Sequence, residues 1–214
     1  MELIKRGVVI TTSAFTKDFL RPCLESLKAT PYDILIVSND SFTPDLSYFD
    51  RQYDLIVNTY NGWELAGIQK GKETFDSFVH IMDSTLIKDI SLFDKVFEIE
   101  GNVVFTKSNF HYMGKFVTKE LPNLPIVHDK ILAVYLEVRW LDGFKYTEFT
   151  PDLPVHTNVF EEIHGMKRMK LENEYMIKWK GTAWVSEKEK AEIDAESIKR
   201  GAGVIIEENV VRYL

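Results

Sequence analysis

The sequence predicts an α/β protein, a mainly parallel sheet flanked by helices on both faces. Three observations carry that expectation. Short β-branched runs alternate with segments of helical period, the strand bodies are almost wholly apolar, and each run ends in polar or acidic residues. At 214 residues the chain has room for one large domain and can bury a continuous core without disulfides or metal clips. Its 45% hydrophobic and 28% charged residues are the balance of an ordinary globular protein.

The elements follow in order. Val8-Val9-Ile10-Thr11-Thr12 reads as a buried first strand. Leu20, Leu24 and Leu27 then fall on one helical stripe with Cys23 beside them, and Pro31 is expected to end that helix. Ile34-Leu35-Ile36-Val37 forms a second strand closing in Ser38-Asn39-Asp40-Ser41, and Leu55-Ile56-Val57 a third that runs toward Asn61-Gly62. A helix with Leu65, Ile68, Phe75 and Phe78 inward precedes a fourth strand, Phe78-Val79-His80-Ile81-Met82, which leads straight into Asp83.

The second half is less regular. Val103-Val104-Phe105 suits a strand, and residues 109–125, with two prolines and a glycine, suit a loop bordering a site. Residues 129–141 are apolar enough for a core-packed helix stopped by Gly143, and 146–156, with Pro151 and Pro154, for an extended return. Ser186-Glu187-Lys188-Glu189 has the form of a capping box opening a helix to about Lys199. Gly201 and Gly203 end it, before a late strand at Val204-Ile205-Ile206. No internal repeat or linker is visible, so residues 1–214 read as a single domain.

Composition narrows the classes of function. Cys23 is the one cysteine, which rules out an internal disulfide and suggests a reducing compartment. Lys5 and Arg6 precede only a short apolar run, so neither a signal peptide nor a membrane span is expected and a cytoplasmic location follows by default. The 26 Lys and Arg stand against 33 Asp and Glu, a net charge of -7 that disfavours binding to a nucleic-acid backbone. Lys167, Arg168 and Lys170, then Lys178 and Lys180, are the densest basic groups, and each reads as a solvated face. Thr12-Ser13-Ala14-Phe15 lacks the glycine spacing of a dinucleotide loop; the P-loop, zinc clusters and a nucleophile elbow are missing as well.

In parallel sheets ligands sit beyond the carboxyl ends of the strands. Those ends carry Thr12-Ser13, Asn39-Asp40, residues 58–61 and Asp83-Ser84-Thr85, so polar groups gather where a site is expected. Simpler roles compete for each residue. Asp83 could cap a turn, Asp40 could form an Asx turn, and Asp129 could serve the dipole of the helix it opens. His156 could be an ordinary surface histidine, while His111, Tyr112, Trp140, Trp179 and Trp184 suit either packing or stacking on a ligand.

The order of these motifs resembles the inverting, GT-A-fold glycosyltransferases of family 2. Val8-Val9-Ile10-Thr11-Thr12 is similar to the family's first nucleotide-binding strand, Cys23-Leu24-Glu25-Ser26-Leu27 to its "cLeSL" helix, and Ile36-Val37-Ser38-Asn39-Asp40-Ser41 to its strand ending in acids. Asn61-Gly62 with Ala66 and Gly71 resembles the "N-G…A…G" helix, and His80-Ile81-Met82-Asp83 the strand entering D-x-D. His128-Asp129 with Arg139 and Gly143 is similar to "E-D…R…G", and Pro151-Asp152-Leu153-Pro154-Val155-His156 to the segment bearing a later histidine. The likeness runs over residues 7–157.

That resemblance implies a GT-A-like, Rossmann-like fold and transfer of a sugar from a nucleoside diphosphate sugar to an acceptor hydroxyl with inversion. It implies Asp129 as general base, a nucleotide-sugar site at Thr12, Ser13, Asp40, Asn61 and Asp83, and Mg²⁺ or Mn²⁺ held at Asp83 and His156. The nucleotide-binding half would span about 1–100, the acceptor half about 101–160, and a helical and strand extension about 161–214. A UDP-sugar is the expected donor; the acceptor is open, with nucleic acid not favoured and no membrane implied.

The chain also departs from the family. Asp83-Ser84-Thr85 lacks the second acid, and threonine is a poor ligand for a hard dication. Asp89 could substitute only if the loop turned back. Ser38-Asn39-Asp40 has one acid where two are usual, and His128 stands in place of a glutamate. Two other readings share the frame: a catalytically lapsed nucleotide-binding protein, and a sugar-phosphate nucleotidyltransferase, which would want a Gly- and Arg-rich phosphate loop.

Overall fold

A computed structural model describes residues 4–104, 107–108, 111–112, 115–118, 146–148, 160–164, 166–181, 195, 204–207 and 210–213. The chain begins with β1 (Arg6–Thr12), α1 (Lys17–Ser26), β2 (Asp33–Ser38), β3 (Asp54–Val57), α2 (Trp63–Thr74) and β4 (Ser77–Met82). There follow β5 (Thr85–Ile87), α3 (Ser91–Phe97), β6 (Asn102–Val104), β7 (Lys107–Ser108), β8 (His111–Tyr112), β9 (Lys115–Thr118) and β10 (Tyr146–Glu148). The remaining strands are β11 (Phe160–Ile163), β12 (Met166–Glu172), β13 (Met176–Gly181), β14 (Val204–Glu207) and β15 (Val210–Tyr213).

The main sheet runs β10-β6-β9-β4-β1-β2-β3. Strands β3, β2, β1 and β4 are mutually parallel, and β9 pairs antiparallel with both β4 and β6. The protein is therefore α/β with a four-stranded parallel sheet at its heart, compatible with a Rossmann-like arrangement. The apolar runs predict this because strands covered on both faces need no alternation. In β1, Val8, Val9 and Ile10 are all fully buried.

Residue parity divides the two faces. Val8 and Ile10 of β1, Ile34 and Ile36 of β2, and Val79 and Ile81 of β4 form one cluster with Leu20, Cys23 and Leu24 of α1 and Leu92, Phe93 and Val96 of α3. The opposite parity faces α2. A Cβ on Gly67 would fall 1.9 Å from the Thr11 hydroxyl, and one on Gly71 2.5 Å from the Phe78 ring. These glycines, one of them the Gly71 of the family-like helix pattern, let α2 lie directly on the strands.

Beneath Gly67, Thr11 Oγ1 and His80 Nε2 share a buried hydrogen bond of 2.8 Å. Burial, reinforced by the Lys178 charge, pulls the His80 pKa down to about 3. Between that value and the ordinary 6.5 of histidine, the unfolded chain binds a proton that the folded chain refuses. The His80 contribution is thus fully present above pH 6.5 and lost as pH falls toward 3. Thermal melts should show His80→Gln losing less stability than the parent between pH 6.5 and 4.5, by roughly 2–3 kcal/mol. Equal losses would mean that His80 titrates alike in both states.

Some local expectations need correction. The first helix ends at Ser26, well before Pro31, because Leu27 and Thr30 close tight turns onto the Leu24 and Leu27 carbonyls (both 3.0 Å). Phe75 and Phe78 are buried as predicted, yet neither lies in α2: Phe75 follows its last residue and Phe78 belongs to β4. The helices expected over 129–141 and from Ser186 to Lys199 fall on residues outside those described, apart from 195.

A second sheet has the order β11-β12-β13-β5, antiparallel throughout. Its inner edge is β5, which starts two residues after Asp83. The segment that follows the family-like acid is consequently claimed by the C-terminal part of the chain.

Candidate functional site

The candidate site lies between the carboxyl ends of β1 and β4. From β1 the chain crosses through α1 to β2 on one side; from β3 it returns through α2, on the other face, to β4. That reversal makes a topological switch point, the place where open α/β sheets bind ligands. Thr12 is the last residue of β1, and Asp83 follows the last residue of β4. The Asp83 N–H donates to the Thr11 carbonyl (3.0 Å), and the Thr12 hydroxyl donates to Asp83 Oδ2 (2.7 Å).

Asp83 and Thr12 are each 1% exposed. Burial pushes the Asp83 carboxyl up to about 6, opposed by the hydroxyls of Thr16 and Thr12, the Lys178 charge and the Ser84 N–H. Among the described residues none donates to its Oδ1 in good geometry. The nearby Cys23 thiol is also driven up, by burial first and the Asp83 charge second, so it stays protonated at neutral pH. Ser13 belongs to the turn into α1: its carbonyl accepts the Thr16 N–H (3.1 Å) and its hydroxyl lies 3.3 Å from that of Thr16.

Asp40 and Asn61 form a second, exposed pair on the neighbouring strand ends, with Asn61 Nδ2 donating to Asp40 Oδ2 at 2.8 Å. Asp40 and Ser41 both take left-handed backbone, at φ 59° and 56°. Backbone bonds hold that conformation, from the Asp40 N–H to the Tyr60 carbonyl (3.2 Å) and from the Ser41 N–H to that of Asn58 (2.7 Å). The Asn39 N–H donates to the Thr12 carbonyl (3.0 Å), which ties this pair to the first. Of the nucleotide-site candidates, Thr12 and Asp83 are brought together, Asp40 and Asn61 are brought together, and Ser13 lies beside the first pair. Asp129 and His156 lie outside the described residues.

No protein-family model and no curated protein matches the chain. The functional reading therefore rests on this geometry and on the motif order.

Two residues read as solvated, Lys178 and Arg168, turn out to be buried. Lys178 is 5% exposed and Arg168 1%. Lys178 Nζ donates to Ser84 Oγ at 2.7 Å, and the charges of both Lys178 and Arg168 act on Asp83. The Arg168 guanidinium also lies over the ring of Phe19, 5.1 Å from its centroid. In β13 Lys178 stands two residues after Met176 and so shares the face of that fully buried residue, a face that the alternation alone does not mark as covered. For Arg168 no signal separates it from the exposed-looking run around it. Lys170, by contrast, pairs with Glu161 (3.2 Å) and Glu172 (3.0 Å).

The described donors do not fit the expected dication. Ser84 and Thr85 are neutral, and the Ser84 hydroxyl already accepts from Lys178. Asp89 does not turn back: its carboxylate accepts the Ser91 N–H at the start of α3 (2.9 Å). Among the described residues no three His, Cys, Asp or Glu side chains converge as a metal-holding group.

Proposed function

We propose that the chain is a GT-A-like glycosyltransferase that binds a nucleoside diphosphate sugar at the ends of β1 and β4 and transfers the sugar with inversion. The observation that carries this reading is the Thr12–Asp83 hydrogen bond spanning the switch point, with Asp40 and Asn61 beside it on the next strand ends. The motif order over residues 7–157 supports the same assignment.

On this reading Asp40 and Thr12 lie against the nucleobase, with Asn61 bonded to Asp40, and Asp83 stands beside the ribose. By family position Asp129 takes the acceptor proton. The acceptor oxygen bonds to the anomeric carbon from the face opposite the leaving group. The bond from that carbon to the phosphate oxygen breaks, and its electron pair leaves on the nucleoside diphosphate. A UDP-sugar remains the favoured donor.

Calorimetric titration with UDP, GDP and CDP, followed by an assay of nucleotide release from the matching sugar donors, tests the assignment. One nucleotide should bind and its donor should turn over; binding of none would end the reading. Asp129→Asn should then lower transfer by about 10²–10⁴-fold with donor affinity unchanged, the worth of a positioned base. Unaltered turnover would remove Asp129 from that role.

The enclosure of Asp83 favours one second reading, a lapsed enzyme that keeps nucleotide binding. Tight nucleotide binding without turnover of any donor would select it.

A further inference from the structure

We infer that the hairpin of β12 and β13 is a hinged cover over the ends of β1 and β4, and that it must lift before a nucleotide reaches Thr12 and Asp83. The inference rests on reading those strand ends as a nucleotide site, and it names the contact that keeps the site shut.

The site is closed. Thr12 and Asp83 are each 1% exposed, although both stand at strand ends where a ligand would have to touch them. The chain itself encloses them. Ser84 leads from Asp83 into β5, which lies along β13, and the charges of Lys178 from β13 and Arg168 from β12 both act on Asp83. A nucleotide and the hairpin therefore compete for one place.

The two ends of β13 are held differently. Its start is anchored. Tyr175, just before the strand, and Met176 belong to the main core with Cys23, Leu92 and Phe93, and Asn173 Oδ1 accepts both of their N–H groups (2.8 Å each). The Tyr175 carbonyl also accepts the Lys88 N–H (2.6 Å). The far end is latched by polar and ring contacts. Lys178 Nζ donates to Ser84 Oγ (2.7 Å), and the Trp179 N–H donates to the Ser84 carbonyl (3.0 Å). The Arg168 guanidinium lies 5.1 Å from the Phe19 centroid, and His164, in the turn between β11 and β12, meets the same ring edge-on at 4.9 Å.

Apolar burial resists opening in proportion to the area that would meet water, whereas polar groups that part regain hydrogen bonds from water. The latch therefore yields before the anchor, which makes Tyr175 and Met176 the hinge. Lifting also returns the Lys178 and Arg168 charges to solvent, which offsets part of the attraction lost at Asp83.

Residue-resolved amide hydrogen exchange on the full chain tests the cover without any ligand. The Trp179 amide should be at least about tenfold less protected than that of Met176, as expected of a segment that opens on its own. Equal or greater protection at Trp179 overturns the inference. A reversible lock tests the link to binding. Leu86 and Ile177 face each other in the β5–β13 ladder, both half-buried, so Leu86→Cys with Ile177→Cys can form a disulfide across it. UDP, GDP and CDP are titrated against the oxidised and the reduced protein. One of them should bind the reduced form at least about tenfold more tightly, because apparent affinity scales with the open fraction. Equal affinity in the two forms overturns the inference and leaves the nucleotide reading standing. Lower protection at Trp179 with no nucleotide bound by the parent or the reduced variant upholds the cover and ends the nucleotide reading. Should the double variant fail to fold, exchange in the parent decides: the nucleotide that binds must lower protection at Trp179 further, and a rise overturns the inference.

Discussion

Gly67→Ala is expected to destabilise the protein by about 3 kcal/mol, the upper end of what overpacking a core costs. The added Cβ would lie 1.9 Å from the Thr11 hydroxyl and 2.8 Å from His80 Nε2. Neither neighbour is the free end of a flexible chain. Threonine is β-branched, the imidazole is fully enclosed, and the two are bound to each other at 2.8 Å. The helix must therefore lift off β1 and β4, or the hydrogen bond must break and leave two buried polar groups unsatisfied. A melting temperature lower by about 10 °C would be the direct reading for a chain of this length. A change of a degree or two would mean that α2 does not lie this close to the sheet.

Lys178→Met should rank next, with a loss of about 3 kcal/mol at pH 8. Methionine keeps the stem and removes the charge, so packing changes little while Asp83 loses a compensating cation. The cost stays at the low end of that expected for breaking a buried pair because Arg168 still acts on the carboxylate. The sign of the pH dependence follows from Asp83. Its folded pKa already lies above the ordinary carboxylate value, so its contribution is present in acid and lost as pH rises through about 6. Removing Lys178 raises that pKa further. The penalty should shrink as pH is lowered from 8 to 5 and the carboxyl takes up a proton. Urea unfolding at the two pH values measures it, and a loss independent of pH would show that Asp83 is not the group Lys178 serves.

The parallel core was legible because its evidence is local. Four apolar runs can be read as strands without knowing what covers them, and polar residues close each of them. Thr12 and Asp83 stand together at those ends, and Asp40 and Asn61 stand together beside them. The helix boundaries were less legible: Pro31 looked like a stop, but tight turns at Leu27 and Thr30 had already ended α1. Gly67 and Gly71 gave no hint of their task, since a close approach between a helix and a sheet is a property of two segments and not of either.

The same limit explains Lys178 and Arg168. A lysine between apolar neighbours in a strand can face water or the interior, and the alternation in β13 is neutral until a partner covers one side. The sequence alone determined the order of β1 to β4 with α1 and α2, the apolar interior, and the acid at the end of β4. Only tertiary structure decided what surrounds that acid. Pairing of β5 with β13 turns Ser84 and Thr85 from a prospective metal loop into a strand edge and brings a cation from residue 178 to residue 84. Contacts over such a separation depend on chain closure and on the register of distant strands, which no local pattern encodes.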